Sequence, residues 1–201
     1  MKKLANLLRA HGQHVVVTRE PGGTPTAEKI RQILLDSRSS GLDAYAELAL
    51  MFAARAQHIH EVIRPALAAN RIVLCDRFTD SSEAYQGGGR KLGGKPILEL
   101  HKILCGNLQP DLTILMDSDV SASLERARRR NERKSNRESD ENRFEKENRA
   151  FFSRVHNAYL AIAARERQRV SVVNARGTVQ ETHTKIADMV RSKLKLELKT
   201  R

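Results

Sequence analysis

The chain contains no tryptophan, and only 4% of its 201 residues are aromatic. With 40% hydrophobic residues it can still bury a sizeable core, which we expect to be mainly aliphatic and to form a single domain over residues 1–201. The two cysteines, Cys75 and Cys105, lack metal-site spacing, so we interpret both as reduced core residues of a cytoplasmic protein. There is no apolar run of membrane-spanning length and no signal-peptide core, so we expect no membrane association.

Negative charge is scarce relative to positive charge, and the formal net charge is +12. Such an excess favours polyanionic partners, namely nucleotides, nucleic acid or anionic membranes. Residues 126–149 hold ten Lys/Arg against six Asp/Glu, and residues 191–201 hold five against one. The first segment is either a phosphate clamp or a nucleic-acid-binding surface, whereas the second is typical of a solvated helix end.

The centre of the chain carries the most informative block, RIVLCDRFTDSSEAYQGGGRK at residues 71–91. Its apolar run at 72–75 is typical of a buried parallel strand, and Asp76 and Arg77 follow directly. Ligands of open α/β sheets bind at the carboxyl ends of strands. A carboxylate there suits Mg²⁺ and a guanidinium suits phosphate, although a helix cap beside an ion pair would explain the same two residues.

Tyr85 and Gln86 are followed by three consecutive glycines, Gly87 to Gly89. We interpret the glycines as a mobile loop and the two polar side chains as candidates to face a nucleoside. The simpler alternative is that the glycines form a plain linker.

Further candidates for ligand binding lie upstream of this block. Arg19 follows a predicted strand and either binds phosphate or pairs with a neighbouring acid. Phe52 and Arg55 are three residues apart on a predicted helix and therefore share a face, where a ring and a guanidinium could hold a base. Without further context, a core phenylalanine beside a surface arginine is the more common arrangement.

The order of the predicted elements indicates an α/β fold with a doubly wound parallel sheet. Strands are predicted at 14–18, 72–75, 111–116 and 170–173. Helices are predicted at 2–11, 43–69, 96–109, 121–130 and 178–196, together with one after the N-cap Thr24 and a long one over 144–162. Residues 131–142 contain no apolar residue and are expected to form a mobile insert.

Four blocks in a fixed order and spacing carry a resemblance to a known family. They are TREPGGT at 18–24, MFAARAQHI at 51–59, DRFTDSSEAYQGGGR at 76–90 and PDLTILMD at 110–117. An arginine-rich segment at 126–147 and a long helix follow these blocks. Together, these features make the chain resemble bacterial thymidylate kinases, which phosphorylate dTMP with ATP to give dTDP. The resemblance implies a P-loop NTPase-like sheet with helices on both faces, and a cytoplasmic homodimer with no specific nucleic-acid partner.

The resemblance also implies roles for individual residues on the dTMP side. Phe52 would stack on thymine, and Arg55 would hydrogen-bond its edge. Arg77 and Arg19 would hold the dTMP phosphate, and Asp76 would support Mg²⁺ directly or through water.

The resemblance also implies which residues line the base and sugar pocket and which face ATP. Ser82 and Gln86 would line the base pocket, and Tyr85 would pack under the deoxyribose, where a 2′-hydroxyl would clash. Residues 128–147 resemble the mobile lid that closes over ATP. Its arginines, which would stabilise the transferring phosphoryl group, are Arg143 in the NRFE motif and, in a register left open by the longer lid, Arg130, Arg133 and Arg137.

One departure concerns the phosphate-binding loop of the family, GxxGxGK[ST], which does not occur in the sequence. The family places that loop after a first, central strand, immediately before the helix that here starts near Met1. We therefore expect a truncated chain that is inactive alone, with an inactive homologue as the alternative. A third hypothesis is a non-catalytic basic protein that binds nucleic acid through its arginine-rich segment.

Overall fold

The computed structural model describes residues 1–119, 125 and 143–194. Helices and parallel strands alternate along the chain, which confirms the predicted α/β class. The strands are β1 (Val15–Arg19), β2 (Ile72–Asp76), β3 (Thr113–Asp117) and β4 (Val170–Asn174). The helices are α1 (Lys2–Ala10), α2 (Pro25–Leu35), α3 (Ala44–His58), α4 (Arg64–Ala68), α5 (Thr79–Ser82), α6 (Lys95–Cys105), α7 (Arg149–Arg165) and α8 (Val179–Leu194). Two π-helical segments, Ile59–Ile63 and Glu83–Gly89, follow α3 and α5, and a 3₁₀ turn at Ser37–Ser39 follows α2.

The strands form two parallel pairs, which agrees with the parallel arrangement predicted from the sequence. β1 pairs with β2 in the register Val15 to Ile72, and β3 pairs with β4 in the register Thr113 to Val170. Among the described residues, no hydrogen bonds of a strand ladder join one pair to the other. Because each pair is parallel, the carboxyl ends of its two strands lie at the same edge of that pair. The loops after Arg19 and Asp76 therefore start at one edge of the first pair, and the loop after Asp117 starts at the corresponding edge of the second.

An apolar cluster holds the two pairs side by side. Leu4 and Leu8 of α1 and Val190 of α8 form its buried centre, because their helices present apolar stripes at helical spacing. Side chains from both strand pairs and the flanking segments pack on that centre: Leu7, Val15, Ile72, Leu74, Leu112, Ile114 and Ile186. Burial of this aliphatic surface, rather than strand pairing, therefore joins the two halves.

Local signals in the sequence determine several helix ends. The side chain of Thr24 accepts a hydrogen bond from the Ala27 amide at the start of α2, and Asp43 caps α3 in the same way. The predicted helix over 43–69 is interrupted by the π-helical segment and restarts with Pro65 in its first turn. Helix α6 ends at Cys105, earlier than predicted, because Gly106 adopts a left-handed conformation there.

The prediction that the glycine run is a mobile loop is wrong, and so is the linker alternative. Gly87 to Gly89 lie within the π-helical segment, which packs against α7. A Cβ at Gly88 would lie 2.7 Å from the Cβ of Ala158, and one at Gly89 would lie 2.6 Å from the Phe151 ring. The glycines are therefore required for close helix packing rather than for flexibility.

Several predictions concern residues outside the described ranges. These are the helix at 121–130 (apart from Glu125), the insert at 131–142, and the lid arginines Arg130, Arg133 and Arg137. Within the part of the chain that the structure describes, no helix has both the length and the apolar character needed to cross a membrane.

Candidate active site

The buried guanidinium of Arg55 occupies the centre of the candidate site. Helix α3 places its guanidinium carbon 4.6 Å from the centre of the Phe52 ring and 5.4 Å from that of Phe78. Its Nε donates to Oε2 of Glu20 at 2.7 Å, and its Nη2 donates to Oγ of Ser82 at 3.0 Å. Only 2% of Arg55 is exposed, so it is not the surface arginine that the more common arrangement would provide.

Phe52, by contrast, belongs to the core. It has no exposed surface and packs with Leu48, Ile59 and Ile97, while the guanidinium of Arg55 lies over its ring. The structure therefore brings Phe52 and Arg55 together as the shared helix face predicted. Stacking of a base on Phe52 stays a prediction, and it requires the ring to become uncovered.

Two buried polar atoms in this region have no hydrogen-bond partner among the described residues. They are Nη1 of Arg55, a donor, and Oε1 of Gln86, an acceptor. Ser82, which accepts from Arg55, and Gln86 are four residues apart on the continuous helical stretch formed by α5 and the π-helical segment. Buried polar groups are almost always hydrogen-bonded, so the unpaired donor and the unpaired acceptor at this site require a polar partner, either a ligand or bound water.

Glu47 organises the far side of this pocket. Its carboxylate is fully buried and accepts a hydrogen bond from Nε2 of Gln86 at 2.8 Å. Arg90 forms a salt bridge to it at 3.0 Å and Arg143 another at 2.7 Å. No sequence pattern predicts this cluster, because α4, β2 and further segments separate Glu47 from its partners along the chain.

Arg143 was predicted to face ATP as part of a lid. In the structure its side chain is only 4% exposed, donates to the backbone oxygen of Leu34, and lies 4.5 Å from the centre of the Phe144 ring. Together with its salt bridge to Glu47, these contacts place Arg143 beside the Gln86 pocket. A contact between Arg143 and a transferring phosphoryl group stays a prediction.

Arg77 lies just after β2 and defines a second cluster. Its φ of 69° is unusual for a residue with a side chain, and such conformations concentrate at functional sites. Nη2 of Arg77 donates to the Tyr85 hydroxyl at 3.2 Å, and its guanidinium carbon lies 4.8 Å from the centre of the Tyr85 ring. Arg77 is nevertheless exposed, so its remaining N–H groups are accessible to a phosphate.

Tyr159 of α7 completes this second cluster and was missed from the sequence, where it appeared only as part of an apolar helix stripe. Its hydroxyl donates to Oγ of Ser81 at 2.7 Å and lies 3.5 Å from Nη1 of Arg77. Burial raises the pKa of the Tyr159 hydroxyl above its ordinary value, so the group stays protonated and able to donate. No local signal could have identified it, because α7 is brought to Arg77 by tertiary packing alone.

The remaining predicted residues lie at the strand ends. Arg19 forms a salt bridge to Glu28 at 3.0 Å, as expected if it pairs with a neighbouring acid. Its side chain nevertheless remains 53% exposed. Asp76 ends β2 and is exposed, and its backbone oxygen accepts from the Glu20 amide at 2.9 Å. An exposed carboxylate at this position suits a hard cation such as Mg²⁺.

A different group has the donor set of a transition-metal site. Ligand atoms of Glu20, His58 and Cys75 lie within 4.8 Å of one another. Both nitrogens of His58 are engaged, however, with Glu20 at 2.9 Å and with Oγ1 of Thr18 at 2.6 Å, and burial raises the pKa of the Cys75 thiol well above its ordinary value. Because the His58 nitrogens and the Glu20 carboxylate are already hydrogen-bonded, the group favours a structural role, in which His58 and Glu20 support Arg55.

Comparison with known proteins decides the family. The model of thymidylate kinases matches residues 1–186. The chain belongs to the thymidylate kinase family. It is 48% identical over 191 residues to a thymidylate kinase of Geobacter sulfurreducens, covering 94% of this chain and 88% of that protein. It is 46% identical over 194 residues to one of Pseudomonas syringae, covering 96% and 89% respectively.

A solved structure supports the same assignment. The fold is similar to the crystal structure of thymidylate kinase from Ehrlichia chaffeensis, with a TM-score of 0.72 and 28% sequence identity over 94% of this chain and 88% of that one. The family resemblance inferred from the four sequence blocks is therefore confirmed. The alternative of a nucleic-acid-binding protein depended on the arginine-rich segment, most of which lies outside the described residues.

Proposed function

We propose that this protein is a dTMP kinase, which transfers the γ-phosphoryl group of ATP to dTMP. Family membership supports the reaction class, and the pair of unpartnered buried atoms supports the acceptor. Nη1 of Arg55 is a donor without an acceptor, and Oε1 of Gln86 is an acceptor without a donor. A ligand that offers an acceptor beside a donor would satisfy both.

The Watson–Crick edge of thymine has this pattern. Its O4 atom accepts and its neighbouring N3–H donates, so the base would pair O4 with Arg55 and N3–H with Gln86. Cytosine has the reverse pattern, with a donating amino group beside an accepting N3, and would leave both protein atoms unsatisfied. A site built to hydrogen-bond a ligand rejects an analogue that cannot make those bonds.

The second cluster suits the phosphate end of dTMP. The exposed Arg77 guanidinium would bind the phosphate, with Arg19 as a further cation at the end of β1. The Tyr85 ring is held by Arg77 and, through edge contacts, by Phe144, Phe151 and Tyr159, so it forms a rigid surface under the sugar. A rigid ring there would exclude a 2′-hydroxyl and thereby favour deoxyribonucleotides.

The reaction itself requires positioning and charge compensation rather than a strong base. The phosphate of dTMP is the nucleophile and is already ionised at neutral pH, so the residues need only hold it in line and stabilise the charge on the transferring group. Asp76 would help to hold Mg²⁺, which would supply positive charge to offset the charge of the ATP phosphates. Arg130, Arg133 and Arg137 are proposed on the ATP side, as the family resemblance implies. The proposed homodimer has the same basis, and so does the proposed lid over 128–147, most of which lies outside the described residues.

Calorimetric titration of the protein with nucleoside monophosphates tests the acceptor. We expect dTMP to bind at least about tenfold more tightly than dCMP, because the cytosine edge leaves two buried groups unpaired. We also expect the ribonucleotide of thymine to bind more weakly than dTMP. Equal affinities for dTMP and dCMP would contradict this assignment of the base pocket.

A further inference from the structure

The orientation of the Gln86 amide is decided by its neighbour Glu47. An amide presents a donating NH₂ at one end and an accepting oxygen at the other, whereas a carboxylate accepts at both oxygens. Since Gln86 lies 2.8 Å from Oε1 of Glu47, its NH₂ group must face the carboxylate. The planar amide then directs Oε1 away from Glu47, and this oxygen is the buried atom without a partner.

Glu47 is itself held in place by charge. Arg90 and Arg143 both form salt bridges to its carboxylate, and Glu47 has no exposed surface. Arg90 is in turn paired with Glu147, and Arg143 with the backbone oxygen of Leu34. The two guanidinium groups compensate the buried negative charge of Glu47 and hold its carboxylate in place. Glu47 can therefore neither turn away from Gln86 nor donate a hydrogen bond to it.

We propose that Glu47 is a specificity-determining positioning residue, which acts through Gln86 and does not touch the ligand. By fixing the NH₂ end of the Gln86 amide, it keeps Oε1 directed at the base and makes the site demand an N–H at position 3 of a pyrimidine. Thymine and uracil satisfy this demand, whereas cytosine does not. The inference depends on the proposed function, because it assigns the cause of selectivity within the same base pocket.

The variant Glu47→Gln tests the idea with minimal change in shape. A glutamine at this position offers both a donor and an acceptor, so the Gln86 amide can adopt either orientation. We expect the preference for dTMP over dCMP, measured by calorimetric titration, to fall about tenfold relative to the unmodified protein. Glu61→Gln is the matched control, because Glu61 also accepts from a glutamine, Gln57, but at an exposed position.

A double-mutant cycle separates positioning from general structural support. Gln86→Met removes the amide at similar size and should itself lower the dTMP preference. If Glu47 acts through Gln86, adding Glu47→Gln to Gln86→Met should leave the preference unchanged. A purely structural role would instead reduce the affinities for dTMP and dCMP equally in Glu47→Gln, so their ratio would stay at the unmodified value and the proposal would be overturned.

The failure of this inference can be distinguished from failure of the proposed function. If the unmodified protein binds dTMP and dCMP equally, the base pocket itself is misassigned. If it prefers dTMP and Glu47→Gln retains that preference, only the role of Glu47 is wrong. Thermal melting of each variant identifies any that fail to fold. In that case Glu47→Asp serves as the second variant, because its shorter side chain keeps a carboxylate but withdraws it from Gln86. We expect Glu47→Asp also to lower the preference for dTMP over dCMP.

Discussion

Arg55 and Phe52 form a stacked pair in which the guanidinium carbon lies 4.6 Å from the ring centre, and neither residue is more than 2% exposed. The guanidinium is also the partner of the buried Glu20 carboxylate, at 2.7 Å. The two side chains serve different purposes. Phe52 packs in the aliphatic core, whereas Arg55 presents an unpartnered N–H to the candidate base pocket.

The first prediction concerns stability at this pair. Arg55→Met should lower the free energy of unfolding by about 3 kcal/mol, because it leaves the Glu20 carboxylate buried without its strongest partner. Urea denaturation of both proteins measures the change. The control Arg38→Met removes an arginine that is 85% exposed in its pair with Asp36 and should hardly alter stability. Unchanged stability in Arg55→Met would show that Glu20 does not depend on Arg55.

The second prediction concerns phosphate recognition. Arg77→Ala should weaken dTMP binding by at least about tenfold, since a charged phosphate loses a guanidinium donor. Binding of thymidine, which has no phosphate, should change far less. Titration calorimetry with both ligands makes the comparison, and Arg38→Ala is the control for loss of one positive charge. An equal loss for nucleotide and nucleoside would mean that Arg77 supports the fold rather than the phosphate.

The third prediction concerns the glycine run. Gly88→Ala should destabilise the protein by about 1–3 kcal/mol, because its Cβ would lie 2.7 Å from the Cβ of Ala158 and 3.3 Å from the backbone oxygen of Arg154. Gly88→Ala combined with Ala158→Gly should recover part of the loss. Gly41→Ala is the control, since its added Cβ meets no atom within 4 Å. A flexible linker would tolerate both alanines alike, and thermal melts distinguish the two outcomes.

The fourth prediction concerns the pH dependence of stability. Burial lowers the pKa of His101 below its ordinary value of 6.5, and the Arg55 charge lowers it further. The unfolded chain therefore binds the proton more readily than the folded one. The contribution of neutral His101 to the free energy of unfolding is fully present above about pH 6.5 and is lost as the pH falls through the lower folded pKa. The stability difference between the unmodified protein and His101→Gln should shrink between pH 7 and pH 5. Parallel urea titrations of the two proteins at pH 7 and pH 5 would detect this change.

Local structure could be predicted well where one short stretch contains the whole cause. Thr24 caps its helix as expected, and Asp43 caps the next one, because a cap needs only its own side chain and the amides two or three residues ahead. The glycine run was misread for the opposite reason. Gly88 is required by the approach of Ala158, and nothing in the run itself reveals that neighbour.

The candidate site divides in the same way. Arg55, Arg77, Tyr85 and Gln86 could be named from motif blocks, and the structure gathers them into two adjacent clusters. Glu47 and Tyr159 could not be named, because each appears in the sequence as an ordinary residue of an amphipathic helix. Their contacts with Gln86 and Arg77 join positions 39 and 82 residues apart.

The sequence by itself determined the family, the alternation of strands and helices, and the residues at the strand ends, because these follow from motif spacing, periodicity and capping along contiguous residues. Only the tertiary structure decided that the strands form two pairs held together by α1 and α8, and that Arg55 is buried on Glu20. It also decided which two polar atoms are left without partners. Such outcomes depend on which side chains fill the space around a group, and that is set by segments distant in the chain.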